Sequence, residues 1–148
     1  MLTLIPMVYA CNSKENEFKD NSTQYRAIKE RDTAYLFLSM GEERFYGKYE
    51  IHYGASGRDK GDVRGEIKGD TLLGEFYFKP YGGGEKKRAP FVVLKKDGKL
   101  LLGKGVESSY LNISFYMPDI PIDYSDPAFI FEELHSTEIQ KLPNDASR

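Results

Sequence analysis

Residues 62–79 alternate charged or polar side chains with apolar ones, and Gly69-Asp70 interrupts the alternation once. Successive side chains of a β-strand point to opposite faces, so a period of two predicts strands with one buried and one solvated face. Both residues of Gly69-Asp70 tolerate the positive φ that a tight two-residue turn requires. The stretch is therefore predicted to be an antiparallel hairpin, which limits the chain to folds built from such hairpins.

The same alternation recurs from residue 33 onward and predicts eight strands. Turns separate most of them, and Asp97-Gly98 is the clearest. The last strand competes with a helix reading, because Asp126-Pro127 also resembles a helix start; we favour a strand. The predicted strands are 34–40, 45–53, 62–68, 71–79, 87–95, 100–106, 110–116 and 129–134.

Eight strands joined by short turns can close on themselves, which removes every exposed strand edge. Glycine inside a strand weakens it, so its repeated use indicates sharp coiling or close backbone approach. Five glycines fall inside the predicted strands: Gly47, Gly65, Gly74, Gly103 and Gly105. We therefore expect an all-β fold, a single small antiparallel up-and-down β-barrel of about eight strands, lipocalin-like or similar. A two-sheet β-sandwich is the alternative.

Cys11, the only cysteine, stands where an apolar stretch gives way to a polar one. Residues 2–10 are too short to cross a bilayer but long enough for part of a signal-peptide core. Residues 11–32 have the composition of a flexible tether. Two other readings remain open: an edge strand with a buried Cys11, and a reactive thiol, which would need a base such as histidine.

Val8-Tyr9-Ala10-Cys11 resembles a bacterial lipobox, which implies that Cys11 is the lipid attachment site. No lysine or arginine precedes the cysteine, so the signal peptide is expected to be truncated. The chain is thus predicted to comprise a truncated lipoprotein signal peptide over 1–10, a flexible tether over 11–32, a barrel domain over 33–134 and a C-terminal tail over 135–148.

The middle of the chain carries a pattern that consists of Asp59-Lys60-Gly61, Val63, Gly65 and the run from Ile67 to Leu72. This pattern resembles that of small Gram-negative lipoproteins of unassigned function. The resemblance implies a lipobox followed by a small antiparallel β-barrel, with no agreed catalytic residues. It also implies an outer membrane lipoprotein of the cell envelope, on the periplasmic face or the cell surface, held to the membrane by its lipid.

Charge and residue spacing favour binding over catalysis. The 21 basic and 23 acidic residues give a formal charge of −2, which provides no positive field for nucleic acid. His52 and His135 lack partners at metal-ligand spacing, so we expect no metal and no cofactor. Glu66 and Glu75 could act as a hydrolase pair, but they are predicted to project into water, where their pKa values are not tuned. We expect a monomer and no enzyme.

Two loops invite ligand interpretations that the sequence does not favour. The glycines of residues 81–84 precede basic residues, as in a phosphate loop, but they join two predicted strands instead of opening a helix. Asp119, Asp123 and Asp126 could bind calcium, although their spacing is not that of an EF-hand. A hairpin tip and a solvated loop are the expected structures.

Six aromatic residues share the predicted inner face: Phe45, Tyr49, Tyr53, Phe76, Phe78 and Phe91. The interior of an eight-stranded barrel is either filled by side chains or holds one small ligand. Six bulky rings favour filling. If a cavity exists, its lining would be Tyr49, Tyr53, Phe76, Phe78 and Phe91. The expected function is a non-enzymatic binding or envelope-interaction module, whose partner is an envelope protein or a small apolar ligand; the alternative is a lipocalin-like carrier of such a ligand.

The lipobox resemblance predicts that Cys11 is acylated in cells. Metabolic labelling with a fatty-acid probe should label the wild-type protein, and Cys11→Ala should abolish the label because the thiol is the acceptor. A mature chain that retains residues 1–10 would contradict the prediction, and mass spectrometry of the purified protein measures this directly.

Overall fold

The computed structural model describes residues 22–135, which form ten β-strands. None of these residues lies in a helix, so no helix among them could cross a membrane. The strands are β1 (Thr23–Lys29), β2 (Asp32–Met40), β3 (Arg44–Tyr53), β4 (Arg58–Lys68), β5 (Thr71–Lys79), β6 (Lys87–Lys96), β7 (Lys99–Leu102), β8 (Glu107–Tyr110), β9 (Ile113–Tyr116) and β10 (Phe129–Glu133).

Eight of these strands close into an antiparallel barrel, which confirms the predicted fold. Strands β1 to β6 pair in chain order, β6 pairs with β7, and β10 is inserted between β7 and β1. The remaining two strands, β8 and β9, form a hairpin outside the ring. This hairpin is attached through one parallel pairing of Arg88 in β6 with Ile113 in β9.

The barrel begins earlier than the sequence pattern indicates. The tether expected over residues 11–32 is wrong from Thr23 onward, because β1 lies in the barrel wall between β2 and β10. Tyr25 and Ala27 of β1 are buried in the core. Residues 1–10, Cys11 and the tail beyond His135 lie outside the described residues.

The single strand expected over 110–116 is also wrong, since the chain reverses direction there. Leu111 and Asn112 both adopt positive φ, at 50° and 63°, and connect β8 to β9 as a two-residue turn. The preceding strand, β7, ends at Leu102 and does not continue to residue 106. The segment around Phe129 is a strand, as predicted.

One half of the barrel is filled by side chains and forms the core. This half contains the turn between β4 and β5, and its interior is closed by apolar residues that are almost completely buried. They are Leu38, Phe45, Leu72, Val93, Leu100 and Phe131. Dense packing of this kind is typical of protein interiors. The expectation of a filled barrel therefore holds for this half only.

Gly65 in β4 and Gly74 in β5 lie directly opposite each other, where the two strands approach too closely for side chains. A Cβ atom on Gly65 would overlap the carbonyl oxygen of Leu73 and the Cα of Gly74. The close approach coils the sheet sharply, as closure of a small barrel requires.

The pairings around the barrel differ greatly in length. Strands β2 and β3 share nine residue pairs, as do β4 and β5. By contrast, β10 shares three pairs with β7 and two with β1. The barrel is thus closed by its shortest strand pairings, those of β10 with β7 and with β1.

Gly65→Ala is expected to destabilise the barrel by about 2–3 kcal/mol, because the new methyl group displaces backbone and not a flexible side chain. Gly82→Ala is the matched control: Gly82 has no neighbouring atom within 4 Å, so its substitution should change the free energy of unfolding by about 0.5 kcal/mol or less. Urea denaturation followed by circular dichroism measures both. Equal effects would contradict the close approach of β4 and β5.

Candidate functional site

A cavity of about 630 Å³ occupies the other half of the barrel and opens to solvent. It lies where β1, β3, β5 and β7 end and where β2, β4, β6 and β10 begin. Its wall includes the apolar side chains of Ile51, Phe76, Phe78, Ala89, Pro90, Phe91, Leu102, Ala128 and Phe129, together with the tyrosines Tyr49, Tyr53 and Tyr116.

Three aromatic rings form the floor of the cavity, next to the filled core. The Tyr49 ring lies 4.8 Å from Phe76 and 5.5 Å from Phe91 between centroids, and 6.0 Å from Phe131 of the core. Phe78 stacks on Phe76 at 4.4 Å with nearly parallel planes. These spacings are those of mutually attractive ring pairs, so the floor is built of rings that pack on one another.

Tyr49 carries the one polar group among the side chains of these floor rings. Tyr49 is only 2% exposed, and its Oη has no hydrogen-bond partner among residues 22–135. Burial raises the pKa of this hydroxyl well above its usual value, and nearby Tyr53 and Tyr116 raise it further. The group therefore stays protonated and can donate a hydrogen bond. A buried polar group that makes none costs free energy.

The cavity wall also contains a buried carboxylate, that of Asp59. Asp59, 8% exposed, accepts hydrogen bonds from Tyr53 Oη at 3.0 Å and from the backbone N–H of Tyr81 at 2.9 Å. Burial raises the pKa of Tyr53, and the bond to Asp59 and the carboxylate charge raise it further. The Tyr53 phenol is thus fixed as a donor to Asp59, and this contact holds the ends of β3 and β4 together.

The segment between β7 and β10 supplies the remaining wall. Tyr116 of β9 lies against Gly105, and its Oη donates a 3.3 Å hydrogen bond to the carbonyl of Gly103. A Cβ on Gly105 would overlap the Tyr116 ring, and one on Gly103 would overlap Tyr124. Both glycines follow the end of β7, so they do not lie inside a barrel strand as predicted; they let aromatic rings pack directly on the backbone.

The charged groups at the mouth include one network. Lys29 Nζ donates to Asp126 Oδ1 at 3.1 Å and to the carbonyl of Pro127 at 2.7 Å, while Lys104 Nζ binds Asp126 Oδ2. The bonds from Lys104 and Lys29 lower the pKa of the Asp126 carboxyl. The network joins the end of β1 to the segment that precedes β10.

All five aromatic residues that the sequence suggested as cavity lining surround this cavity: Tyr49, Tyr53, Phe76, Phe78 and Phe91. The sixth ring, Phe45, lies in the filled half and contacts Phe91 at 6.1 Å. Sequence reasoning missed Asp59, which lies before the strand predicted over 62–68, and Tyr116, which it placed on a barrel strand. Both reach the cavity through tertiary contacts that carry no local sequence signal.

The other residues that the sequence suggested as sites form ion pairs or hydrogen bonds with neighbouring side chains. Glu75 pairs with Arg88 at 2.7 Å, Glu66 lies 3.7 Å from Lys68, and neither glutamate lines the cavity. Asp123 accepts from Ser125 Oγ, which lowers the pKa of the Asp123 carboxyl. No group of three or more potential metal ligands occurs in the part of the chain that the structure describes.

Comparisons with known proteins return no match, whether with protein-family models, with curated proteins or with solved structures.

Tyr49→Phe is expected to stabilise the unliganded protein by about 1 kcal/mol, because it removes a buried hydroxyl that has no partner and keeps the ring. Tyr110→Phe is the control. The Tyr110 side chain is largely solvated, so removing its hydroxyl should leave the free energy of unfolding unchanged. Thermal and urea unfolding of the ligand-free variants measure the difference. A loss of stability in Tyr49→Phe would mean that the hydroxyl has a bonding partner within the folded chain.

Proposed function

We propose that the protein is a non-enzymatic binding protein that holds one small, largely apolar molecule in the open half of its barrel. The observation that carries this proposal is Tyr49, a residue of the cavity wall whose hydroxyl is buried and has no hydrogen-bond partner among the described residues. A ligand atom that accepts its hydrogen bond would remove the cost of leaving this donor unpaired.

The dimensions and composition of the cavity support the same function. Small-molecule sites usually measure about 300–1,000 Å³ and combine apolar walls with a few polar groups that fix orientation. Here the rings of Phe76, Phe78 and Phe91 supply apolar walls, and the Tyr49 hydroxyl supplies a neutral donor at the floor. The part of the ligand that enters first should therefore be apolar and carry a neutral acceptor, such as a carbonyl or hydroxyl oxygen.

The lipid anchor at Cys11 belongs to this proposal as its cellular setting. Its support is the apolar-to-polar switch at Cys11 and the lipobox resemblance of residues 8–11. A lipid-anchored barrel with an open mouth would take up its ligand at the surface of an outer membrane.

Nile red, a neutral dye with a carbonyl acceptor, is a direct probe of this function. We expect saturable one-to-one binding to the wild-type protein, seen as a rise and blue shift of the dye fluorescence. Tyr49→Phe should bind the dye about three- to tenfold more weakly, as expected for the loss of one buried hydrogen bond. The control Tyr110→Phe should bind like the wild type.

Native mass spectrometry of the protein with the dye gives the stoichiometry independently. Absence of saturable binding, or binding of several dye molecules with equal weakness, would contradict a built ligand site. Equal affinities of wild type and Tyr49→Phe would remove the Tyr49 hydroxyl from the site while leaving the cavity as the binding region.

A further inference from the structure

The two faces of the β8–β9 hairpin differ in composition. Successive side chains of a strand point to opposite faces, so cross-strand pairs alternate between the two sides of the hairpin. Glu107 and Tyr116 form one such pair, and both line the cavity. Ser109 and Ser114 form the other pair on this face. The face of the hairpin that is turned toward the cavity is therefore the polar one.

The opposite face of the hairpin is largely apolar. Ser108 is its one polar residue, and Leu111 in the turn is 76% exposed. The exposed apolar residues of this face and its turn are Val106, Tyr110, Leu111, Ile113, Phe115 and Met117. None of them lines the cavity. The solvated face of an antiparallel sheet is normally polar, so an apolar cluster of this kind marks an interaction surface.

The backbone of the turn is not optimised for stability. Leu111 has a φ of 50°, in the left-handed region that leucine rarely adopts. Asparagine or glycine would fit this position with less strain. Because the Leu111 side chain is largely exposed, packing within the chain does not offset that strain. A contact outside the folded chain explains a leucine here better than stability does.

The turn lies at the end of the barrel where the cavity opens. Ile113, next to the turn, pairs with Arg88 at the beginning of β6. Asn112 Nδ2 donates a 3.3 Å hydrogen bond to Glu85 Oε2 in the loop between β5 and β6. Tyr81 in the same loop is a further exposed ring. The turn and this loop together form one surface beside the mouth, which we call the rim.

The rim carries a slight excess of positive charge. Four basic and two acidic residues occur in segments 79–88 and 107–116: Lys79, Lys86, Lys87, Arg88, Glu85 and Glu107. Arg88 is paired with Glu75 of β5. With this partner included, the formal charge of the rim is +1. Such a surface does not repel anionic head groups, and its lysines can extend toward phosphate oxygens.

This arrangement fits a lipid bilayer better than a protein partner. Insertion requires that apolar side chains protrude from the body of the protein, and Leu111 has the highest exposure of the large apolar residues between 22 and 135. Tyrosine favours the boundary between acyl chains and head groups. Basic residues next to inserted apolar ones are typical of surfaces that lie on membranes. A protein interface, by contrast, buries its apolar residues at the centre of a broad contact.

We propose that the rim docks on the surface of a lipid bilayer, with Leu111 and Tyr110 inserted, so that the mouth of the cavity faces the membrane. This contact is distinct from the lipid anchor proposed at Cys11, because it depends only on residues of the rim. It is also independent of the proposed binding function, since Leu111 and Tyr110 do not line the cavity.

A single tryptophan at the turn reports insertion directly, because the chain contains no tryptophan of its own. Leu111→Trp is the probe, and Tyr46→Trp is the control at an exposed position of β3 in the filled half. Both are made in the full chain with Cys11→Ala, so that no acyl group holds the protein. With phosphatidylcholine vesicles, we expect the emission of Leu111→Trp to shift to the blue and to be quenched by lipids brominated on their acyl chains. The emission of Tyr46→Trp should change in neither way.

Leu111→Asn separates membrane contact from folding. In co-sedimentation with vesicles it should bind at least about tenfold more weakly than the Cys11→Ala parent, because each CH₂ group moved from lipid to water costs roughly fourfold in affinity. Its thermal midpoint should be unchanged or a few degrees higher, since asparagine adopts positive φ more readily than leucine. The control Tyr46→Asn should keep the vesicle affinity of the parent. Phosphatidylglycerol in the vesicles should strengthen parent binding by about fivefold or less, as expected for one net positive charge.

The outcomes separate this proposal from its alternatives. An unchanged emission of Leu111→Trp, equal changes at both tryptophan positions, or unchanged vesicle binding of Leu111→Asn would overturn it. If vesicles have no effect but the protein self-associates in sedimentation and Leu111→Asn prevents this, the hairpin is an interface between copies of the chain, which also overturns it. Insertion of Leu111→Trp in a protein that binds no Nile red without vesicles would refute the binding function and leave the membrane contact standing.

Discussion

Closure of the sheet on itself is the constraint on which the rest of this structure depends. The ring is completed only because β10, near the end of the described residues, pairs with β1, near their beginning. Without that contact the strands on either side would expose unpaired backbone groups. Closure also creates an inside, so that alternate side chains of every barrel strand share a single enclosed space.

The enclosed space is divided unequally along the barrel axis. Aliphatic and aromatic side chains fill one half, and Phe91 of the cavity floor also packs against Phe45 of that core. The filled half therefore packs directly against the rings that form this floor. The packing that stabilises the barrel is therefore concentrated at one end of the strands, and the cavity that we propose as a binding site lies at the other end.

The sequence predicted the barrel and five of its cavity rings because both depend on alternation along single strands. It failed for β1, in which small Ala27 faces the core while Ile28 points outward and is 66% exposed. It also failed at Leu111, where an aliphatic residue occupies a positive-φ turn usually given to glycine or asparagine. Asp59 and Tyr116 join the cavity through contacts between separate strands, which no local pattern encodes.

The unequal ladders around the ring divide the barrel into a durable and a labile sector. Strand β10 is held by five residue pairs in all, and its neighbour β7 has only four residues. Amide protons in this sector should exchange with deuterium through local opening, at free energies below that of global unfolding. Leu102 and Phe129 of this sector line the cavity. A ligand in the cavity would therefore slow amide exchange in β7 and β10 first, so exchange in these two strands would reveal whether the cavity is occupied.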